Sequence, residues 1–360
     1  MFEGLFSTTI WLNVTSIFAL LYAIFLSSKS DNKLLLGSSV TPAPIMIIIL
    51  ATIYIGTRPI WCYADTKLYT LIFNFVQTGF WSALPSDTTE PFFSAVEYFC
   101  IETTDASGWL LVIATFYVYG MSFAAYRWLP KHFFTSIVFL FTAFSFWGYA
   151  TNGIRNGMAT SIAMLGLSFF CRTKKELIIG YALLILASLT HKSCMLTIAA
   201  STAAFFLRNT KVNISFWLFC IILGLLFQEQ FKSLFSWLID DGRMVAYLNA
   251  EVDKVLFSKT GFRWDFLLYS SLPIVFGWYA ISNQKIKDKT YTFILHTNIF
   301  SNAFWILINT AAFSNRFAYL SWFLYPIVLI YPFCKFHFLK NQSAVLGLLL
   351  IIMTAFTYFM

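Results

Sequence analysis

A chain of 360 residues that is 59% hydrophobic, 20% aromatic and 11% charged is not an ordinary soluble domain. Apolar runs long enough to cross a bilayer recur from end to end, so the fold class is all-α, a polytopic integral membrane protein. The net charge of +8 lies in short loops between those runs and reads as a topology signal rather than nucleic-acid binding.

In chain order the apolar runs predict about twelve transmembrane helices. They fall near 9–27, 40–56, 108–127, 132–151, 155–171, 177–190, 193–208, 213–228, 264–282, 290–310, 317–334 and 342–359. The opening Met1-Phe2-Glu3-Gly4 lacks a basic n-region, so the first run is expected to stay as a span. The runs 177–190 and 193–208 are short and read either as a hairpin or as one helix broken at His191.

Alternate loops carry Lys29 and Lys33; Arg127 and Lys131; Arg172, Lys174 and Lys175; Arg208 and Lys211; Lys285, Lys287 and Lys289; Lys335 and Lys340. They hold few acids, and the positive-inside rule places them in the cytoplasm with both termini outward. Two outward segments are long. In 57–107, Leu68, Leu71, Ile72, Phe75, Val76 and Phe80 at helical spacing predict a short amphipathic helix on the outer, periplasmic face. The segment 229–263 reads as two short helices around Asp240-Asp241-Gly242. With no internal repeat or linker, 1–360 is a single membrane domain.

Cys171, Cys194, Cys220 and Cys334 lie in or beside apolar runs as packing residues, while Cys62 and Cys100 share one outward segment and could pair. No CxxC or metal-ligand spacing is present, so no metal or cofactor is expected.

The candidate site centres on Tyr149-Ala150-Thr151-Asn152-Gly153-Ile154-Arg155-Asn156-Gly157-Met158-Ala159-Thr160-Ser161. Two Asn-Gly pairs bracket an arginine where a span begins, and Asn152 is a fitting N-cap. An arginine at a helix N-terminus builds an anion site; the alternative is a side chain reaching for lipid headgroups. Gly153, Gly157 and Ser161, four apart, leave a smooth face for close helix contact. Arg58, Arg155, Arg243, Arg263 and Arg316 all fall outward, whereas lysine favours the inner loops. Arginine's planar fork binds phosphate oxygens bidentately, so the sorting points to a phosphate or pyrophosphate ligand, with scattered interfacial anchors as the alternative. Tyr69 follows Asp65 by four, Tyr247 follows Arg243 by four and Tyr319 follows Arg316 by three, placing aromatic hydroxyls for sugar contact. His191, followed by Lys192-Ser193, is the outward histidine, and Asp65 is the second candidate base, with a plain helix N-cap as its alternative role.

These landmarks, in this order, resemble the EpsG-type branch of the Wzy polysaccharide polymerases. The matching elements are Arg58 with Ala64-Asp65-Thr66-Lys67-Leu68-Tyr69, then Ile154-Arg155-Asn156-Gly157-Met158-Ala159, then His191-Lys192-Ser193, then Asn315-Arg316-Phe317-Ala318-Tyr319 ahead of Pro326. Ala64 stands where the family usually has glycine. The resemblance implies a GT-C-like membrane glycosyltransferase of the bacterial inner membrane. It would move a growing O-antigen or capsule glycan from undecaprenyl pyrophosphate onto a newly flipped lipid-linked repeat unit at the periplasmic face. A flippase and a chain-length regulator would be its neighbours. On that reading Arg58, Arg155, Arg243 and Arg316 meet pyrophosphate, Asp65 or His191 is the base, and Tyr69, Asn152, Lys192, Tyr247, Asn315 and Tyr319 meet sugar. The rival readings are a flippase for the same lipid-linked unit and a membrane acyltransferase.

Overall fold

The computed structural model describes residues 7–37, 41–85, 87, 89–227, 229–231, 234, 262–309 and 315–360, with the side chains of Asn315 and Arg316 left aside. Among the described residues it is helical and contains no strand. It divides into two compact units, Met1–Ile198 with Ile330–Met360, and Ala199–Leu329.

The first unit holds α1 (Thr8–Ser28), α2 (Asp31–Leu36), α3 (Pro42–Gly56), α4 (Ala64–Gln77), α5 (Pro91–Thr103), α6 (Ala106–Trp128), α7 (Phe133–Phe141), α8 (Phe144–Thr151), α9 (Ile154–Leu167) and α10 (Lys174–Thr190). Helix α11 (Met195–Phe206) leads out of it. The unit is closed by the C-terminal helix, Gln342–Phe359, which lies along α1. That crossing is tight because Gly347 has no Cβ to strike the Ala23 carbonyl at 2.8 Å, and Ser343 Oγ donates to the Leu26 carbonyl at 2.6 Å.

Helix α9 is wedged between α6 and α10 by small residues on two of its faces. Toward α6, Ser161 Oγ donates to the Tyr117 carbonyl at 2.7 Å, and a Cβ on Gly120 would meet Ser161 Oγ at 2.3 Å. Gly157 has the Tyr149 carbonyl where its Cβ would sit, so two positions of the small-residue stripe are used as the spacing predicts. Toward α10, Gly166 and Gly180 face each other, each 2.9 Å from the other's carbonyl once a Cβ is added. Both obstacles are backbone. Gly166→Val should therefore lower stability by about 1–3 kcal/mol, read as a lower melting temperature in detergent. For the site, the Tyr149 carbonyl against Gly157 sets where the first turn of α9 lies.

In the second unit α12 (Thr210–Leu226), α13 (Trp264–Ser282), α14 (Lys289–Leu307) and α15 (Asn315–Trp322) pack around polar side chains on α14. Trp217 Nε1 donates to Asn302 Oδ1 at 2.8 Å, Thr210 Oγ1 meets His296 Nε2 at 3.0 Å, and Asn298 Nδ2 donates to the Ser321 carbonyl at 2.8 Å. Apolar surroundings offer no water, so these buried polar groups gain by pairing with one another. Helix α16 (Tyr325–Lys335) leads back to the first unit's segment.

The helices follow the predicted apolar runs closely, and some of them are long enough by themselves to cross a bilayer. Among the described residues, four stretches are long and apolar enough to span a membrane: Thr8–Ser28, Ala106–Trp128, Phe317–Lys335 and Gln342–Phe359. The run expected over 132–151 is instead two pieces, Pro130–Phe141 and Phe144–Thr151, bent by 68°, which make a fifth if counted as one broken span. Others, such as Pro42–Gly56 and Thr210–Leu226, are apolar but shorter than the roughly 20 residues a perpendicular crossing takes. Between the runs 177–190 and 193–208 the helix is interrupted at His191, with extended backbone (φ −156°, ψ 126°) after α10 and a 3₁₀ turn, Lys192–Cys194, before α11.

The amphipathic helix expected in 57–107 is α4, with Phe73 buried and Leu68 and Leu71 exposed, and the same segment carries a second helix, α5. Most of 229–263, including the turn at 240–242, lies outside the described residues. Cys62 and Cys100, a possible pair from sequence, are not joined in a disulfide.

Candidate functional site

Helix α9 starts at Ile154, with Gly153 as its N-cap and no side-chain cap. Asn152 is not that cap: it ends α8, and its Oδ1 accepts from the Asp65 backbone N–H at 3.5 Å, a long bond. Arg155 thus sits in the first turn of an uncapped helix, where free amides and the dipole favour an anion. Its Nε donates to Tyr69 Oη at 2.7 Å and its Nη1 to Glu90 Oε2 at 2.5 Å. The guanidinium lies 4.9 Å from the centre of the Tyr69 ring. Nη2 makes no hydrogen bond among the described residues, which leaves one edge of the fork for a ligand.

Glu90 is the N-cap of α5, ahead of Pro91 at the first helical position, yet its side chain does not cap. The carboxylate, 5% exposed as a residue, is spent elsewhere: Oε2 on Arg155, and Oε1 3.5 Å from His191 Nε2. On the far side of the ring, His191 Nδ1 accepts the Ser193 backbone N–H at 3.2 Å and meets Ser193 Oγ at 2.8 Å. Ser193 Oγ in turn donates to Asn156 Oδ1 at 2.9 Å. On the other side of the ring, a proton on Nε2 faces Glu90 and is donated to its carboxylate. Glu90 therefore receives a donor from each side, and His191 is arranged to orient it.

Two turns along the same face of α5, past the buried Ser94, lies Glu97. It is 2% exposed, and its Oε1 has no hydrogen-bond partner among the described residues. Burial pushes its carboxyl up to about 8, with the Arg155 charge pulling the other way. The folded protein then holds a proton on Glu97 that the unfolded chain has released. Since the native state binds more protons between the ordinary value and about 8, stability falls as pH rises through that window. Glu97→Gln should flatten this slope, measured as melting temperature against pH from 5 to 8.5 (~3.5 units) in detergent. An unchanged slope would mean that another group carries it.

The remaining predicted residues separate by placement. Arg58 is 2% exposed; its Nη1 donates to the Ile55 carbonyl at 2.6 Å, and Nε and Nη2 donate to Thr66 Oγ1 at 3.1 and 2.9 Å. Thr66 passes the link to the Thr151 carbonyl at 2.6 Å, so Arg58, expected to meet pyrophosphate, is buried and ties α3 to α4 and α8. Asp65 is in the first turn of α4 with Tyr63 as the N-cap, which corrects its bland alternative. Its charge acts on Tyr69, whose phenol burial pushes up, so Tyr69 stays a protonated donor. Lys192 is exposed in the 3₁₀ turn. Tyr319 is on α15, 5.2 Å from the Trp322 ring, and Asn315 and Arg316 open that helix. Arg243 and Tyr247 lie outside the described residues.

Sequence reasoning missed Glu90 and Glu97. The signal was present: a glutamate at a position that Ser, Asp or Asn would fill better, and a second seven residues on, which on a helix is the same face. Among the described residues, no group of three or more His, Cys, Asp or Glu is placed to hold a metal.

A family model described as the EpsG family matches residues 40–360. The chain belongs to the EpsG family. EpsG proteins are polysaccharide polymerase-like membrane proteins, and the matched stretch contains every residue of the Arg155–Glu90–His191 arrangement. No curated protein and no solved structure matches this EpsG chain.

Proposed function

We propose that this EpsG protein is a glycosyltransferase that polymerises lipid-linked repeat units of a bacterial surface polysaccharide. The observation that carries the reading is the carboxylate of Glu90, held between Arg155 and His191 beside the uncapped start of α9. The donor is a growing glycan on undecaprenyl pyrophosphate and the acceptor is a sugar hydroxyl of a newly flipped unit, both presented at the periplasmic face of the inner membrane. About twelve crossings would bring the site to that face, and a flippase and a chain-length regulator would work beside it.

In the transfer, the acceptor O–H gives its proton to Glu90, and its oxygen bonds to the anomeric carbon of the donor. The bond from that carbon to the pyrophosphate oxygen breaks, and the electron pair leaves with the pyrophosphate. Arg155, through the edge not used on Glu90 and Tyr69, and the first amides of α9 stabilise the departing charge. His191 keeps Glu90 aimed, and Asp65, Tyr69, Asn152 and Lys192 surround the sugars. The roles of Arg243, Tyr247, Asn315, Arg316 and Tyr319 in holding substrate rest on the sequence resemblance.

The test is gene deletion followed by complementation, read as the glycan ladder of the cell surface. A polymerase predicts collapse of the ladder to a single repeat unit and full recovery with the wild-type gene. Loss of every glycan, with repeat units stranded on the inner side, would overturn the proposal in favour of a flippase.

A further inference from the structure

A cavity lies away from the Arg155 site, where the end of α1, α2, the start of α3 and the 3₁₀ turn Pro130–His132 before α7 meet. Its volume is about 380 Å³. Lys29 and Lys131 line it, together with the buried His132, and the charges of Lys335, Lys29 and Lys131 all bear on the His132 imidazole. Gly37 makes the close approach possible: at φ +68° it packs so near that an added Cβ would lie 2.5 Å from the Lys131 carbonyl and 3.1 Å from His132 Cε1. Asp31, the acid of the neighbouring loop, is engaged with the Ser343 backbone N–H at 2.9 Å and with His337 at 3.4 Å. The cavity's other half is apolar, walled by Phe25, Leu26, Leu34 and Phe134. Thr41, the N-cap of the 15-residue α3, sits on the rim without making a side-chain cap.

Two ammonium groups that line one cavity, Lys29 and Lys131, repel each other unless an anion joins them. A soluble anion would not need the adjoining apolar wall, whereas a headgroup with its chains uses both halves. These lysines also belong to the basic loops that the charge pattern assigns to the inner face, where anionic lipids raise the local demand for cations. We infer that this cavity is a binding site for the phosphate headgroup of an anionic phospholipid, with Lys29 and Lys131 on the phosphate and the Phe25–Phe134 wall against the chains. It is independent of the polymerase reading.

The test uses the full chain in detergent, titrated with phosphatidylglycerol, phosphatidylcholine or glycerol 3-phosphate, and read by melting temperature and by lipid retained in native mass spectrometry. The variants are K29Q/K131Q and, as a control on another basic loop, K174Q/K175Q. Phosphatidylglycerol should stabilise wild type and K174Q/K175Q alike, and K29Q/K131Q should need at least about ten-fold more lipid for half the effect. Phosphatidylcholine should do little. Wild-type behaviour of K29Q/K131Q, or equal loss in K174Q/K175Q, would overturn the site. An equal shift from glycerol 3-phosphate would make the ligand a soluble phosphate and overturn the lipid assignment. Either single variant, K29Q or K131Q, carries the same comparison if the double variant does not fold.

Discussion

Arg155→Ala should abolish the polymer ladder while single repeat units still reach the surface. Removing a preorganised donor to a developing oxyanion costs roughly 10²–10³-fold in rate, and here the same side chain also supports the proposed base. Arg155→Lys is the informative companion. Lysine keeps the charge but cannot place one donor on Tyr69 Oη at 2.7 Å and another on Glu90 Oε2 at 2.5 Å while leaving a third edge free. It should therefore recover only a small part of the activity. Truncation strands the buried carboxylate of Glu90, which by itself costs about 3–5 kcal/mol when a buried pair is broken. Membrane level and melting temperature must be measured beside the ladder. A normal ladder from Arg155→Ala at normal level would sink the mechanism.

Glu90→Gln is the second large effect. The amide oxygen can still accept from Arg155, but a neutral amide cannot take a proton from the acceptor, and the Arg155 charge loses its buried counter-ion, so membrane level and melting temperature are measured beside the ladder here too. Polymerisation should drop by about 10²–10⁴-fold, the usual worth of a positioned base. His191→Gln should do less, because the ring touches the carboxylate at 3.5 Å and acts by orienting it. Its signature should be a changed pH profile of polymerisation rather than simple loss, since the residual base is then aimed by Arg155 alone. Asp65→Asn is the control. Full activity in Glu90→Gln combined with loss in Asp65→Asn would transfer the base to α4 and reduce Glu90 to an anchor for Arg155.

The contrast between Arg155 and Arg58 shows what each level of description determines. By itself the sequence marks both as outward arginines at span ends, because a cation beside an apolar run is conspicuous whatever it touches. The same logic made His191, Asp65 and Tyr69 visible, and the length and composition of the apolar runs set the helical membrane class and most helix limits. Only the tertiary structure turned Arg58 inward onto Ile55 and Thr66 and left Arg155 facing the site. Glu90 and Glu97 were invisible for a related reason. Periodicity sees neighbours three or four residues apart, whereas the Arg155–Glu90 pair joins positions 65 apart in the chain. That meeting is settled by how closely α9 can seat against α6 and α10, through Gly157, Ser161, Gly166 and Gly180, and no local pattern encodes where a buried carboxylate will find its partner.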